Sequence, residues 1–164
     1  MKIVDNVLTD YQCDSIFNTV TTYGFPYYYS NNLNGKDYLG NYYFTYFLMD
    51  EFEIKDDKWL PIFIPLMNRF SVPLEKVRRL KVNLHPRVQF RDRHQPHTDY
   101  PPDSELTTYL YYANTCNGYT GFKNKKIYNK RNRMVIFDGS IPHYSTNCTD
   151  ANARISINFD ARSV

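Results

Sequence analysis

The last strand-like stretch of the sequence places the strongest constraint on the fold. Apolar and polar residues alternate strictly here: one face carries Ala153, Ile155, Ile157 and Phe159, and the other carries Arg154, Ser156, Asn158 and Asp160. Because successive side chains of a strand point to opposite faces, this pattern predicts a strand whose apolar face rests on a core. Its polar face, headed by an arginine, must then point to water, a partner strand or a bound anion.

Other stretches share this period of two, so most of the chain is predicted to be β-structure. Strands are predicted near residues 3–7, 25–30, 42–49, 80–86, 106–113 and 134–138. The aromatic content of 17% also favours sheets. Asn117-Gly118 is a hairpin signal, and 123–133 is a basic, polar stretch that leads into the next strand.

Two stretches before residue 71 have helical spacing instead. Thr9 and Gln12 form a capping box in front of the first helix, and Lys58 to Phe70 predicts a second one, in which Pro65 would kink or restart the helix. The order of helices first and strands afterwards predicts a mainly β (α+β) fold, with two N-terminal brace helices packed on an antiparallel sandwich. The length favours one domain over residues 1–164.

Composition narrows the classes of function. The net charge of +3 does not demand a nucleic-acid partner. Cys13, Cys116 and Cys148 are scattered without a Cys-x-x-Cys pair, so we expect a reduced protein with no structural zinc, in which Cys148 serves packing. No hydrophobic signal core or membrane-spanning stretch is present, which predicts no membrane partner and a cytoplasmic location.

Two histidines and one carboxylate form the candidate metal site. His97 and Asp99 are one residue apart, so both side chains can reach one ion from an extended segment, and His143 can add a third ligand. This set holds Fe(II) in non-haem oxygenases. For the His97/Asp99 pair alone a solvated loop is the simpler interpretation. The presence of Arg154, whose guanidinium fork matches a carboxylate, with Ser156 on the same face, favours a site.

The order His97-x-Asp99, His143, Arg154-x-Ser156 resembles the Fe(II)/2-oxoglutarate-dependent oxygenases. Within them it is most similar to the small prolyl-4-hydroxylase-like members often encoded by bacteriophages. The resemblance covers about Lys81 to Phe159 and implies a double-stranded β-helix, also called a jelly roll, of the cupin-like kind. It also implies Fe(II) as cofactor, 2-oxoglutarate and O2 as cosubstrates, and hydroxylation of a C–H bond with release of succinate and CO2.

The same resemblance implies the roles of individual residues. His97, Asp99 and His143 would bind Fe(II), and Arg154 would pair with the distal carboxylate of 2-oxoglutarate, assisted by Ser156. Two further candidates are Tyr112, within a Tyr-Tyr-x-Asn stretch that holds this carboxylate in prolyl-hydroxylase-like members, and Asn83. The family's Asn-x-Tyr pair reads Asn83-Leu84-His85 here, so His85 departs from the pattern.

Several alternatives stay open at the level of sequence. The substrate is a prolyl-peptide-like group, an amino acid or a nucleotide. A second hypothesis is a non-catalytic, metal-binding jelly-roll interaction module, and a third is a nucleic-acid-associated accessory protein. The triple Tyr27-Tyr28-Tyr29 indicates strand packing or a substrate-facing wall, and His94 indicates a loop histidine rather than a second metal ligand.

Overall fold

The computed structural model describes residues 1–33, 36–37 and 42–162. Within them the chain forms an eight-stranded and a three-stranded antiparallel sheet that face each other, and a separate pair of two-residue strands. The helices pack against the outer face of the larger sheet. This arrangement agrees with the predicted mainly β fold and is consistent with the jelly-roll class.

The described chain up to Asn68 holds both helices together with six strands, and the remainder is β-rich. The strands of the described residues are β1 (Lys2–Asp5), β2 (Tyr28–Ser30), β3 (Asn32–Leu33), β4 (Lys36–Asp37), β5 (Tyr43–Asp50), β6 (Glu53–Ile54), β7 (Val77–Pro86), β8 (Leu106–Tyr112), β9 (Tyr119–Phe122), β10 (Lys125–Tyr128), β11 (Arg133–Asp138), β12 (His143–Ser145) and β13 (Ala153–Arg162). The helices are α1 (Asp10–Thr21) and α2 (Ile64–Asn68), with 3-10 turns at Leu60–Ile62 and Leu74–Lys76.

The larger sheet has the strand order β1-β11-β8-β13-β7-β5-β2, with β6 paired to β5. β13 lies at its centre, antiparallel to both β7 and β8. The register of β13 and β7 places polar residues opposite one another in four successive pairs: Arg154 with His85, Ser156 with Asn83, Asn158 with Lys81, and Asp160 with Arg79. The two strands therefore present one continuous polar face to the inside of the sandwich.

The smaller sheet has the order β10-β9-β12 and is continued by the segment before β8. Antiparallel bridges join Arg93 to Thr146 and His97 to His143 at the open edge of β12. These bridges bring the sequence-distant histidines side by side.

Two cores separate the layers. The larger core packs α1 (Ile16, Val20) and α2 (Leu66, Met67) against the apolar face of the central strands. The smaller core lies between the sheets, where Leu110 and Phe137 of the larger sheet meet Phe122 and Ile127 of the smaller one. The apolar side of the 153–160 alternation therefore lies on a core, as its pattern predicts, and the polar side faces the gap between the sheets.

The helices agree only in part with the predictions. α1 begins after Thr9, whose side chain accepts from the backbone N–H of Gln12, while the Gln12 side chain accepts from the backbone N–H of Thr9. The long helix expected over Lys58 to Phe70 is wrong: the segment holds a 3-10 turn and then the five-residue α2. Pro61 and Pro65 each begin a short piece, because proline has no N–H to continue the preceding one. A bracing role for the helices stays a prediction.

Two turn predictions also differ from the structure. The chain does not form a hairpin at Asn117-Gly118 but crosses there from the larger to the smaller sheet. The hairpin lies later, between β9 and β10, so part of the basic stretch is itself a strand. None of the helices in the described residues is long and apolar enough to cross a lipid bilayer.

Candidate metal centre

A cavity opens between the two sheets beside the polar face of β13 and β7. Its volume is about 90 Å³, measured as the space that water-sized molecules can occupy, and this is several times what one water needs. Both sheets contribute to its wall, which is formed by Tyr43, Lys81, Asn83, His85, His97, Asp99, Thr108, Leu110, Thr120, Phe137, His143, Ser145, Arg154, Ser156 and Asn158.

The three predicted metal ligands meet in this cavity. One ligand atom from each of His97, Asp99 and His143 lies within 4.8 Å of the others, and His143 Nε2 is 3.6 Å from Asp99 Oδ2. Reciprocal backbone hydrogen bonds of 2.8 Å between His97 and His143 hold the two histidines together. The group offers two imidazole nitrogens and a carboxylate oxygen close enough to share one ion, a donor set that suits Fe(II).

The two imidazole rings are oriented by backbone carbonyls. His143 Nδ1 lies 3.0 Å from the carbonyl of Ile141, and His97 Nδ1 lies 3.4 Å from that of Gln95. A carbonyl can only accept, so these contacts favour the tautomer with hydrogen on Nδ1 and leave Nε2 as the ligand atom. Burial lowers the pKa of His97 to about 4, so the ring is neutral at pH 7, as a metal ligand must be.

Asp99 is held by an ion-pair network that the sequence did not reveal. Arg79 donates from Nη2 to Asp99 Oδ1 (2.9 Å) and from Nε to Asp160 Oδ2 (2.7 Å). The Thr108 hydroxyl lies 3.2 Å from Asp99 Oδ2 and 2.7 Å from Asp160 Oδ1. The guanidinium therefore bridges a candidate ligand and a fully buried carboxylate, and fixes the direction of both.

Charge and burial shift the pKa values of the two carboxyl groups, Asp99 and Asp160, in opposite directions. Burial opposes ionisation of Asp99, but Arg79, His143 and Lys81 together outweigh it, and the pKa of Asp99 is lowered. Burial dominates at Asp160 and raises the pKa of that carboxyl. The pKa of Arg79 is raised, because the two carboxylates outweigh its burial. Asp99 therefore stays an anionic ligand at neutral pH.

Arg154 lies at the other end of the cavity as a buried cation. Only 1% of the residue is exposed, and its guanidinium donates to Asn129 Oδ1 (2.7 Å), Thr120 Oγ1 (2.8 Å) and the Thr146 carbonyl (3.3 Å). These partners are all neutral, and within the described residues no carboxylate pairs with it. A buried charge without a counter-ion is costly, so this position favours a bound anion.

Thr120 links the arginine to the metal side of the cavity. Its hydroxyl accepts from Arg154, and its backbone pairs with Ser145, two residues beyond His143 on β12. Two residues advance a strand by about 6.6 Å. The hydroxyl that supports Arg154 therefore lies about two residues along the smaller sheet from the candidate ligand His143.

Asn83 and Ser156 line the cavity between these two ends, as opposite residues of β7 and β13. The Asn83 amide donates to Asn158 Oδ1 (2.9 Å) and accepts from Thr45 Oγ1 (3.0 Å). Lys81 is a second cation on this wall, and burial lowers its pKa to about 8.

The structure does not bring Tyr112 to the cavity wall. Its ring lies behind Arg154, 5.5 Å from the guanidinium carbon, and its hydroxyl donates to Thr120 Oγ1 (2.8 Å). Burial raises the pKa of this phenol, which keeps it a neutral donor. Tyr112 therefore contacts the hydroxyl that supports Arg154, with Thr120 between it and the cavity.

The remaining aromatic and histidine predictions are also located. Tyr28 and Tyr29 are exposed on the edge strand β2, and neither they nor Tyr27 are among the cavity residues. The tyrosine that does face the cavity is Tyr43, stacked on His85 with ring centroids 5.2 Å apart. His85 Nδ1 is buried and has no hydrogen-bond partner in the part of the chain that the structure describes. His94 contacts Ser145 and Asn147 rather than the metal ligands.

Some of the missed residues had a readable signal. Arg79 and Asp160 lie on the polar faces of two strands whose alternation is evident in the sequence, so pairing those faces would have placed the two charges together. Thr120 and Asn129 had none, because their contact with Arg154 depends on how the smaller sheet folds over the larger.

Solved structures share this fold at low sequence identity. A viral collagen prolyl hydroxylase from Paramecium bursaria Chlorella virus-1 gives a TM-score of 0.59 at 14% identity, over 99% of this chain and 90% of that chain. A Trichoplax adhaerens prolyl hydroxylase, in complex with a hypoxia inducible factor oxygen degradation domain peptide fragment, gives 0.67 at 17%, over 98% and 82%. A 2OG-Fe(II) oxygenase family oxidoreductase from Burkholderia pseudomallei gives 0.63 at 12%, over 96% and 82%. No family model and no curated protein sequence matches the chain.

Proposed function

We propose that the chain is an Fe(II)- and 2-oxoglutarate-dependent dioxygenase that hydroxylates a C–H bond and releases succinate and CO2. One observation carries the proposal: a set of two histidines and one aspartate shares a cavity with a buried arginine that lacks an acidic partner among the described residues. A metal ion would occupy the ligand set, and one carboxylate of a dicarboxylate would pair with the buried arginine. The fold shared with 2OG-Fe(II) oxygenases supports the same reading.

In this proposal His97, Asp99 and His143 hold the iron through two imidazole nitrogens and a carboxylate oxygen. Arg154 receives the distal carboxylate of 2-oxoglutarate, and Ser156 and Asn83 contact the cosubstrate along the wall between the two ends. Tyr112 supports Arg154 through Thr120. Bound Fe(II) would supply the oxygen chemistry that couples cosubstrate decarboxylation to hydroxylation.

The contribution of the chain itself is orientation and desolvation. The network of Arg79 and Asp160 holds Asp99, and backbone carbonyls hold both histidine rings, so the ligand set is organised in advance. Burial of Arg154 strengthens its attraction for a carboxylate, because few waters compete there. No general base is needed among the cavity residues.

A prolyl peptide is the first substrate class to test, because two of the similar structures are prolyl hydroxylases. Free amino acids and nucleotides form the comparison set. Succinate release above the uncoupled rate identifies the productive class.

The decisive experiment is an anaerobic titration of metal-free protein with Fe(II) and then 2-oxoglutarate, followed by visible absorbance. Wild type is expected to develop the metal-to-cosubstrate charge-transfer band, and Arg154→Met to require much more 2-oxoglutarate for it. Arg162→Met is the matched control, because Arg162 is exposed at the far end of the same strand. Folded, iron-loaded wild type without a band would overturn the proposal.

A second reading, a jelly-roll interaction module without turnover, has one observation in its favour. Tyr28 and Tyr29 are exposed at the sheet edge, and Tyr29 stacks on Tyr42 with centroids 5.6 Å apart. A turnover assay separates the two: after O2 is admitted to protein loaded with iron and 2-oxoglutarate, the dioxygenase forms succinate and a module without turnover forms none. His97→Ala and Asp99→Ala are expected to abolish succinate formation by the dioxygenase.

A further inference from the structure

A second group of metal-ligating side chains lies outside the cavity wall. Cys116, Cys148 and Asp150 offer two Sγ atoms and a carboxylate oxygen, all within 4.8 Å of one another. Cys116 belongs to the loop between β8 and β9, and the other two belong to the loop between β12 and β13. Both thiols are buried and free, and Asp150 is exposed.

Hydrogen bonds join these two loops next to the Cys116, Cys148 and Asp150 group. The backbone N–H of Asn117 donates to Asp150 Oδ1 (2.9 Å). The Asn117 amide donates to Thr149 Oγ1 (2.7 Å) and accepts from the Thr149 backbone N–H (3.0 Å). One carboxylate oxygen of Asp150 is thereby fixed, and the other has no hydrogen bond in the part of the chain that the structure describes.

The donor set differs in kind from that of the iron site. Two thiolates and one carboxylate suit a soft, tetrahedral ion, whereas two imidazoles and one carboxylate suit Fe(II). Bond lengths of about 2.3 Å to sulfur and 2.0–2.2 Å to oxygen place the ligand atoms of such a site roughly 3.5 Å apart. The ligand atoms of Cys116, Cys148 and Asp150 would have to approach one another by about 1 Å to reach this separation.

We propose that Cys116, Cys148 and Asp150 bind a thiophilic divalent metal ion of the Zn²⁺ class, with water as the fourth ligand. Binding displaces the two thiol protons to solvent, and the four-coordinate site carries one net negative charge. The exposed position of Asp150 leaves the water side open. The proposal is independent of the iron chemistry.

The site lies next to the packing of Arg154. A Cβ at Gly118 would come within 2.7 Å of Arg154 Cδ and 3.0 Å of the Asn147 carbonyl, so Gly118 packs against both the arginine stem and the other loop. A metal that joins the loops therefore stiffens the wall that positions this guanidinium. The spacing rule that predicted no structural zinc failed to detect the group, because its ligands come from loops that only the fold brings together.

The test adds Co²⁺ to the reduced, metal-free full chain under anaerobic conditions. We expect a near-ultraviolet thiolate-to-cobalt charge-transfer band that saturates at one ion, and Cd²⁺ should protect two thiols from a thiol reagent. The band should disappear in Cys116→Ser and Cys148→Ser. It should weaken in Asp150→Asn, an exposed change that does not threaten folding.

Two controls separate this site from the rest of the molecule. Cys13→Ser should keep the band, because Cys13 lies in α1 and contacts Tyr111 instead. His97→Ala should also keep it, because it disables only the iron site. Absence of the band in reduced wild type overturns the proposal, and so does its persistence in Cys148→Ser. If glutathione disulfide removes two thiols while Co²⁺ gives no band, the pair is a disulfide-forming dithiol and the metal site is rejected.

Discussion

Arg79 shows how a single side chain can set the geometry of a site that it does not enter. Its guanidinium joins Asp99, at 2.9 Å, to the buried Asp160, at 2.7 Å. Asp99 is thus fixed by a partner that is itself fixed, and the orientation of the candidate ligand does not depend on a metal being bound.

This arrangement predicts that Asp160→Asn weakens Fe(II) binding although residue 160 is not a ligand. The amide removes one counter-charge from Arg79 and presents N–H donors to its guanidinium and to the Thr108 and Tyr100 hydroxyls, all of which donate to Asp160. We expect Fe(II) affinity to fall by about 10–100-fold, measured anaerobically by tryptophan fluorescence. Asp138→Asn is the control, because among the described residues that exposed carboxylate bonds Ser140 alone. Equal affinities in Asp160→Asn and wild type would show that Asp99 needs no support.

His94 gives the molecule a pH-dependent stability. Burial lowers the pKa of His94 to about 4, and Asn147 and Ser145 engage the ring. In the unfolded chain the His94 imidazole is protonated below about pH 6.5, whereas in the folded chain it is protonated only below about pH 4. Acid therefore favours the unfolded state, and the contribution is lost as the pH falls through this window.

The expected cost at pH 5 relative to pH 7.5 is about 2 kcal/mol from this residue. Urea unfolding of wild type and His94→Gln at both pH values measures it, and the variant should show the smaller pH dependence. Comparing the two differences cancels the other titrating groups. Identical pH dependence in both proteins would mean that His94 titrates normally in the fold.

At the scale of elements, α1 depends on its N-terminal cap. Thr9→Ala should destabilise the protein by about 1 kcal/mol, because the N–H of Gln12 loses its partner. Thr21→Ala is the matched control on the same helix, since its hydroxyl bonds back to the Phe17 and Asn18 carbonyls of that helix and caps no N–H. Chemical denaturation compares the two, and equal losses would contradict a capping role for Thr9.

Elements with a strong local period were predictable from the sequence, and those that depend on contacts across the fold were not. The 153–160 alternation marked β13, and Thr9 with Gln12 marked the start of α1. The hairpin signal at Asn117-Gly118 failed because Gly118 is needed for a different reason: a side chain there would collide with Arg154.

The site follows the same division. His97, Asp99 and His143 could be grouped by their spacing and order, and the fold brings them together. The residues that hold the site in place could not be predicted, because hydrogen bonds such as that from Arg154 to Thr120 join residues on separate sheets. The side chains that a sequence marks as reactive are easier to find than the neutral groups that hold them.

At the scale of the whole molecule, the cavity lies between the two sheets and is lined by residues of both. Asp99 and His143 belong to the side of the smaller sheet, while Arg154 and Ser156 belong to the centre of the larger one. A metal ion with a bridging diacid would therefore connect both layers. Ligands that bind only this closed arrangement stabilise it by mass action against the unfolded chain.

Mn²⁺ and 2-oxoglutarate together should therefore raise the thermal unfolding midpoint more than Mn²⁺ alone. At about 100 times the dissociation constant the added stability is about 2.7 kcal/mol, which corresponds to roughly 5–10 °C for a chain of this size. Arg154→Met should lose the increment due to 2-oxoglutarate but keep that due to Mn²⁺, while Arg162→Met keeps both. If Arg154→Met retains the full 2-oxoglutarate increment, the diacid does not reach across the sheets to this arginine, and the buried charge serves the fold instead.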